Sequence, residues 1–176
     1  MNAKQKPCKQ CKELFAPRNS LQKVCSPKCA IEYVQRDNAK KAKKEYYKND
    51  KSHALKAAQE AFNRYIRARD YGKPCISCGT LKASRWDAGH YISVGARPSL
   101  RFNEDNCHLQ CQKCNTHLSG NLALYRMGLL EKIGETRLSA LEGPIEPCRY
   151  RIDDLHLVSK TYRDKAKALK KAGDGL

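Results

Sequence analysis

No stretch of this 176-residue sequence approaches the roughly 20 consecutive apolar residues that a bilayer-spanning helix needs, which excludes a helical membrane protein. The first residues, Met1-Asn2-Ala3-Lys4-Gln5-Lys6, lack the apolar run of an export signal, so a reducing, cytoplasmic setting is expected. Large apolar side chains are scarce, with one Trp, three Phe and two Met, and mean hydropathy is -0.77. A very large core is thereby excluded, and stability must come partly from elsewhere. No glycine-rich phosphate loop of the Walker type occurs, so ATP-driven remodelling is not indicated, and no Ser, His and Asp nucleophilic arrangement is evident.

Acidic residues are also few: 18 Asp and Glu face 35 Lys and Arg, a net charge of +17. An excess of this size implies an anionic partner, with nucleic acid leading because each neutralised phosphate releases condensed counterions. Charge kept for solubility, or attraction to anionic lipid or ribosomal RNA, would look the same. Ten cysteines in a reducing setting call for metal rather than disulfides. Cys8, Cys11, Cys25 and Cys29 read C-x2-C-x13-C-x3-C, and Cys75, Cys78, Cys111 and Cys114 form two further C-x2-C pairs. Each pair can bite one ion from a single turn, and two pairs complete a tetrahedron, so two structural zinc sites are expected. Cys107 and Cys148 have no partner at ligand spacing and read as buried free thiols.

The expected class is a small mixed α/β (α+β) protein in four parts. Residues 1–30 read as a four-cysteine zinc knuckle, too poor in apolar residues to fold without metal. Residues 31–70 carry no Gly or Pro and read as a basic helical linker, one helix or two, with a break near Asn49-Asp50-Lys51-Ser52. Its second half places Leu55, Ala58, Phe62, Tyr65 and Ile66 on one face, which should dock on the next domain. Its first half holds Lys40, Lys41, Lys43, Lys44 and Lys48, either a solvated face or an arm that tracks DNA phosphates. Tyr46 and Tyr47 beside them are weak candidates for base stacking. Residues 71–135 concentrate turns, cysteines and histidines, and residues 136–176 form a loop and a C-terminal basic helix with Leu155, Leu157, Val158, Tyr162 and Leu169.

Between the second pair of C-x2-C motifs lie Trp86-Asp87-Ala88-Gly89-His90-Tyr91 and Asn106-Cys107-His108-Leu109-Gln110, and Asn115 follows Cys114 directly. A His at a strand end, an Asn in the next loop and a polar residue after the last cysteine follow the order of an HNH nuclease. The resemblance implies a ββα-metal unit in which zinc pins hairpin ends and a helix begins near the last cysteine pair. In that pattern His90 is the general base, Asn106 holds the loop that orients it, and Asn115 binds a catalytic Mg²⁺ or Mn²⁺ ion. Many HNH nucleases carry an Asp or His immediately before this His, where Gly89 stands. Asp87, reached by a strand kink, His108 and His117 are the other candidates for the catalytic metal. His90 read alone would be a structural hydrogen-bonding residue, His108 a structural or alternative zinc-binding one, and Trp86 a core residue rather than a stacking platform. Arg85, Arg97 and Arg101 flank the centre as DNA-gripping candidates or as ordinary surface arginines.

These runs, together with Cys75-Ile76-Ser77-Cys78-Gly79-Thr80, Leu100-Arg101-Phe102-Asn103-Glu104 and Cys114-Asn115-Thr116-His117-Leu118-Ser119-Gly120-Asn121-Leu122, strongly resemble the lambdoid phage NinG family. The likeness extends to the N-terminal quartet and basic stretch. It implies a structure-specific endonuclease acting on branched recombination intermediates, Holliday junctions and D-loops, in the cytoplasm of an infected bacterium. Paired cuts in opposite strands would call for a two-fold homodimer. The rival expectation is a zinc-dependent accessory protein that binds DNA junctions or RNA without cutting.

Overall fold

The computed structural model describes residues 5–173 and divides into two compact units, 1–50 and 51–176. In the first unit, β1 (Lys6–Pro7) and β2 (Leu14–Phe15) form a minimal antiparallel pair with Lys6 opposite Phe15. The turn between them carries Cys8 and Cys11, and Lys12 takes a left-handed φ of 72° as the chain reverses. Helix α1 (Pro27–Asn49) starts where Ser26 accepts a hydrogen bond from the Cys29 backbone N–H at 3.2 Å, with Pro27 in the first turn. Cys29 is its one buried residue, and residues 38–49 are exposed all round. The chain leaves helical geometry at Asp50, where φ is -89° and ψ is 115°.

Sγ atoms in this unit lie 3.6 Å apart for Cys11 and Cys25 and 3.6 Å apart for Cys25 and Cys29. A tetrahedron with metal–sulfur bonds of about 2.3 Å has edges near 3.8 Å, whereas a disulfide closes to about 2.05 Å. All four sulfurs of each quartet fall within 4.8 Å of one another, and every described cysteine is free. The two clusters can therefore each bind a metal ion such as zinc.

The second unit opens with α2 (Lys51–Arg69), whose buried face is Ala54, Ala58, Ala61, Phe62 and Ile66. It packs on α4 (Ile152–Gly173), with Phe62 edge-on to Tyr162 at 4.8 Å between ring centroids. The α4 stripe is Leu155, Ser159, Tyr162 and Ala166, at helical spacing; Leu157, counted among its apolar residues in the sequence, points to solvent. Helix α2 also packs on the hairpin of β3 (Trp86–His90) and β4 (Cys107–Cys111), antiparallel, with Trp86 opposite Cys111 and His90 opposite Cys107. All five β4 residues are buried, so both faces of that strand are covered. Helix α3 (Leu122–Glu142) bends at Gly134, whose φ of 79° suits glycine, and both halves supply core residues: Tyr125 and Leu129 before the bend, Leu138 and Leu141 after it. Helical geometry breaks at Gly134 and resumes across residue 135, and residues 51–70 belong with the second unit because their apolar face is satisfied there. After Cys114 there is only a π-helical turn, Lys113–His117; α3 begins at Leu122, after a left-handed Asn121. Cys148 is exposed in the α3–α4 connection, contrary to the reading of a buried thiol, since that stretch packs no core of its own.

One buried carboxylate ties the helices to the hairpin. Asp70 is inaccessible, accepts the Leu109 backbone N–H at 3.2 Å, and meets Arg69 at 2.7 Å, Lys132 at 3.3 Å and Lys73 at 3.4 Å. Burial alone would raise its pKa, but the hydrogen bond from Arg69 and the charges of Arg69 and Lys132 hold the carboxyl far below the usual range.

Two outcomes follow. Asp70→Ala strands Arg69 and Lys132 in a half-buried setting and should cost about 3–5 kcal/mol in denaturant unfolding at neutral pH. Because the folded-state pKa is depressed, this contribution is present above the unfolded value of about 3.9 and fades as pH falls below it. A variant as stable as wild type would contradict the assignment. For the cysteines, titration of purified protein with an organomercurial should release two metal equivalents per chain, one per quartet, and Cys75→Ser should release one. Release of none, with the thiols found as disulfides, would refute the metal reading.

Candidate functional site

His90 closes β3 and lines an open cleft of 570 Å³ with Asn115, Ser93, Ser119 and Gly120. Its Nε2 lies 2.9 Å from the Arg101 carbonyl oxygen. A carbonyl only accepts, so Nε2 carries the proton and Nδ1 keeps the lone pair. The Cys107 thiol, a weak donor, sits 3.7 Å from Nδ1, and Phe62 packs on the ring at 6.0 Å between centroids. Burial lowers the His90 pKa, the Arg101 charge pushes the same way and the hydrogen bond to the Arg101 carbonyl opposes them; the net direction is below the ordinary imidazole value. His90 is accordingly a neutral base with a fixed tautomer.

Asn106 is fully buried across the strand end and grips the loop that leaves His90. Its Oδ1 accepts the Ile92 N–H at 2.8 Å, and its Nδ2 donates to the Ile92 carbonyl at 2.9 Å and the Leu100 carbonyl at 3.3 Å. The Tyr91 N–H donates to the Asn106 carbonyl at 2.8 Å. The Asn106 side chain and carbonyl are thus spent on the segment that leaves His90 and on the turn at Pro98–Leu100, which leads to the Arg101 carbonyl that His90 needs.

The other candidates for a catalytic metal separate. Asn115 reaches the cleft and donates to Asp87 at 3.0 Å. Asp87 lies on the opposite strand face from His90 and also receives Arg85 at 3.0 and 3.2 Å. His108 is buried away from the cleft with both ring nitrogens engaged: Arg69 donates to Nδ1 at 2.8 Å, and Nε2 donates to the Asp105 carbonyl at 3.0 Å. It has no lone pair left for a metal, which corrects its candidacy. His117 is exposed on the π turn and does not line the cleft, because the chain turns away before α3 begins. Among the described residues, the only groups of three or more His, Cys, Asp or Glu ligands are the two cysteine quartets.

Gly89 is not a kink. It pairs regularly with His108, and a Cβ there would lie 2.1 Å from Gln110 Oε1. Gln110 is fully buried; its Nε2 donates to Ser77 Oγ at 2.7 Å and to the Gly120 carbonyl at 2.6 Å, while Oε1 has no partner. The Tyr125 hydroxyl donates to the Gly89 carbonyl at 2.8 Å. These two side chains, missed from the sequence, lock the hairpin to the loop after the cysteines; the alternation of β4 places Gln110 opposite Asp87, and its polar type at a buried position was the available signal.

The basic candidates divide similarly. Lys40, Lys41, Lys43, Lys44 and Lys48 are exposed on α1, where Lys41 pairs with Asp37 at 2.9 Å and Lys48 approaches Glu45 at 3.9 Å. Tyr46 and Tyr47 form an edge-on pair at 5.5 Å. Arg85 stays half-exposed despite its bond to Asp87. Arg101 donates to Gln59 at 3.1 Å. Arg97 is corrected: its guanidinium caps the end of α3, donating to the carbonyls of Leu141, Glu142 and Gly143 at 2.8, 3.1 and 2.7 Å, so it is a helix cap rather than a phosphate grip. No helix among the described residues is long and apolar enough to cross a membrane.

Comparison with known proteins follows this geometry. A family model described as Bacteriophage Lambda NinG protein matches residues 1–172. The curated Protein ninG of Escherichia phage lambda is 37% identical, covering 92% of this chain and 90% of the relative. Those of Escherichia phage 933W and Salmonella phage P22 are each 37% identical, covering 93% and 92% of this chain and 92% and 91% of theirs. No solved structure matches. The chain belongs to the NinG family of lambdoid phages.

Proposed function

We propose that this chain is a structure-specific endonuclease of HNH type that hydrolyses phosphodiester bonds in branched recombination intermediates inside the infected host cell. The observation that carries the reading is His90: a neutral imidazole with Nε2 fixed to the Arg101 carbonyl, lining an open cleft beside Asn115. A base held in one tautomer is what activation of a water for attack on phosphorus requires. Nδ1, once free of the Cys107 thiol at 3.7 Å, takes the water proton as the new P–O bond forms, and the departing 3′ oxygen takes a proton from solvent. The Nε2–H bond to the carbonyl then disperses the positive charge of the imidazolium. Asn106 contributes by holding the loop, and exposed basic residues, on α1 and at Arg85, grip phosphates without sequence readout.

The donor chemistry near the cleft suits a Mg²⁺ or Mn²⁺ ion, which takes one or two protein oxygens and fills the remainder with water and phosphate. Asn115, which lines the cleft, would hold it; Asp87, in contact with Asn115 at 3.0 Å, lies on the opposite strand face from His90 and would join only on leaving Arg85. When bound, such an ion would neutralise charge on the phosphate under attack. The cysteine quartets would hold zinc in structural roles, and paired cuts would need a homodimer.

A rival, a zinc protein that binds junctions or RNA without cutting, is favoured by one observation: the Asp87 carboxylate is engaged by Arg85 and Asn115. Cleavage of a labelled four-way junction and a matched duplex, with Mg²⁺ or Mn²⁺, separates the readings. Wild type should cut the junction in preference to the duplex. His90→Ala should bind the junction as wild type does and cut it roughly 100- to 10,000-fold more slowly. Binding by wild type without cutting, under either metal, would replace the nuclease reading by the rival.

A further inference from the structure

A second concave surface lies at the other end of β3, outside the cleft of His90. It is a notch of 410 Å³ lined by Arg67, Tyr71, Lys73, Leu81 and Trp86, among others. Tyr71 is 88% exposed and Leu81 67% exposed, which is costly placement for large apolar groups unless they meet something. Trp86, the single tryptophan of the chain, is half-buried and packs against the cluster of Cys75, Cys111 and Cys114. That packing makes it a rigid floor. Arg67 and Lys73 bring positive charge to the rim, and a net charge of +17 favours a polyanion over an apolar peptide or a lipid tail.

We propose that this notch receives an unpaired nucleobase of a DNA strand, stacked between Tyr71 and Trp86, with Arg67 and Lys73 on the flanking phosphates. An aromatic platform inside a positive rim accepts any base, because every base offers a π-face. Trp86 and His90 are four residues apart on the same face of one strand, so the notch lies about 13 Å from the imidazole along β3. An unpaired base at a branch point would then set the distance to the phosphate presented to His90. The inference rests on the nuclease reading for that last step alone; recognition of the base does not.

The test uses the fluorescence of the lone tryptophan in the full-length, zinc-loaded chain carrying His90→Ala, so that binding is read without cutting. The probes are a fully paired duplex and the same duplex with one unpaired adenine. The bulged duplex should quench Trp86 and bind more tightly than the paired one. Tyr71→Ala should remove a roughly 5- to 150-fold preference, whereas Tyr71→Phe should keep it. Tyr71 is exposed, so the alanine variant should fold, which circular dichroism checks. Equal quenching by both duplexes, or a preference untouched by Tyr71→Ala, overturns the proposal. Absence of the preference with Tyr71 intact, while wild type cuts junctions, would sink this inference alone. A retained preference in a chain that never cuts would sink the nuclease reading alone.

Discussion

Four thiol sulfurs within 4.8 Å of one another do not coexist comfortably as thiolates without a cation among them, and the second unit is arranged around that requirement. Cys75 and Cys78 sit in the turn after α2, Cys111 ends β4, and Cys114 stands in the π turn beyond it. One ion such as zinc would therefore fasten three separate segments at a single point. Around that point, one backbone and one side-chain donor reach the sulfurs: the Cys111 N–H lies 3.4 Å from Cys75 Sγ, and Asn121 Nδ2 lies 3.4 Å from Cys114 Sγ. The hairpin is too short to be stable alone, since two strands of five residues bury little. Its register is held by the cysteines at one end and by Asn106 at the other.

From this constraint the position of His90 follows. Register places His90 opposite Cys107, Asn106 holds the loop that leaves it, and the loop returns the Arg101 carbonyl to Nε2. Asp70 then binds the helical layer to the back of the hairpin through Leu109 and the surrounding cations. The remaining charges divide by what they touch. Arg97 and Arg69 are consumed by backbone carbonyls and a buried carboxylate, while the lysines of α1 stay in water.

Much of this was legible in the sequence, for identifiable reasons. Cysteine spacing marks both quartets because ligation leaves a local signature, and helical periodicity marks Ala58, Phe62 and Ile66 of the buried face of α2, whereas Leu55 and Tyr65 lie at its half-buried edge and Ala54 and Ala61 complete it. The break near residue 50 was visible as a polar stretch. Long-range hydrogen bonds were not legible: nothing near Arg97 in sequence indicates that it caps a helix ending more than forty residues later, or that Arg69 and Asp105 occupy the nitrogens of His108. A strand kink was the condition for Asp87 to reach the centre, and Gly89 instead pairs regularly with His108. Its actual role, leaving room for the Gln110 carboxamide, depends on a neighbour across the hairpin. The bend at Gly134 was hidden because helix formers lie on both sides of it.

The central claim is that the fold holds His90 neutral, protonated at Nε2 and basic at Nδ1. Long-range nitrogen–proton NMR correlation of the imidazoles, assigned with His90→Ala, reads the tautomer and its titration in one experiment. The account predicts the Nε2–H tautomer through neutral pH and a pKa below the ordinary value of about 6.5, because burial penalises the charged ring. A ring protonated at Nδ1, or one exchanging between tautomers and titrating like a free histidine, would contradict it.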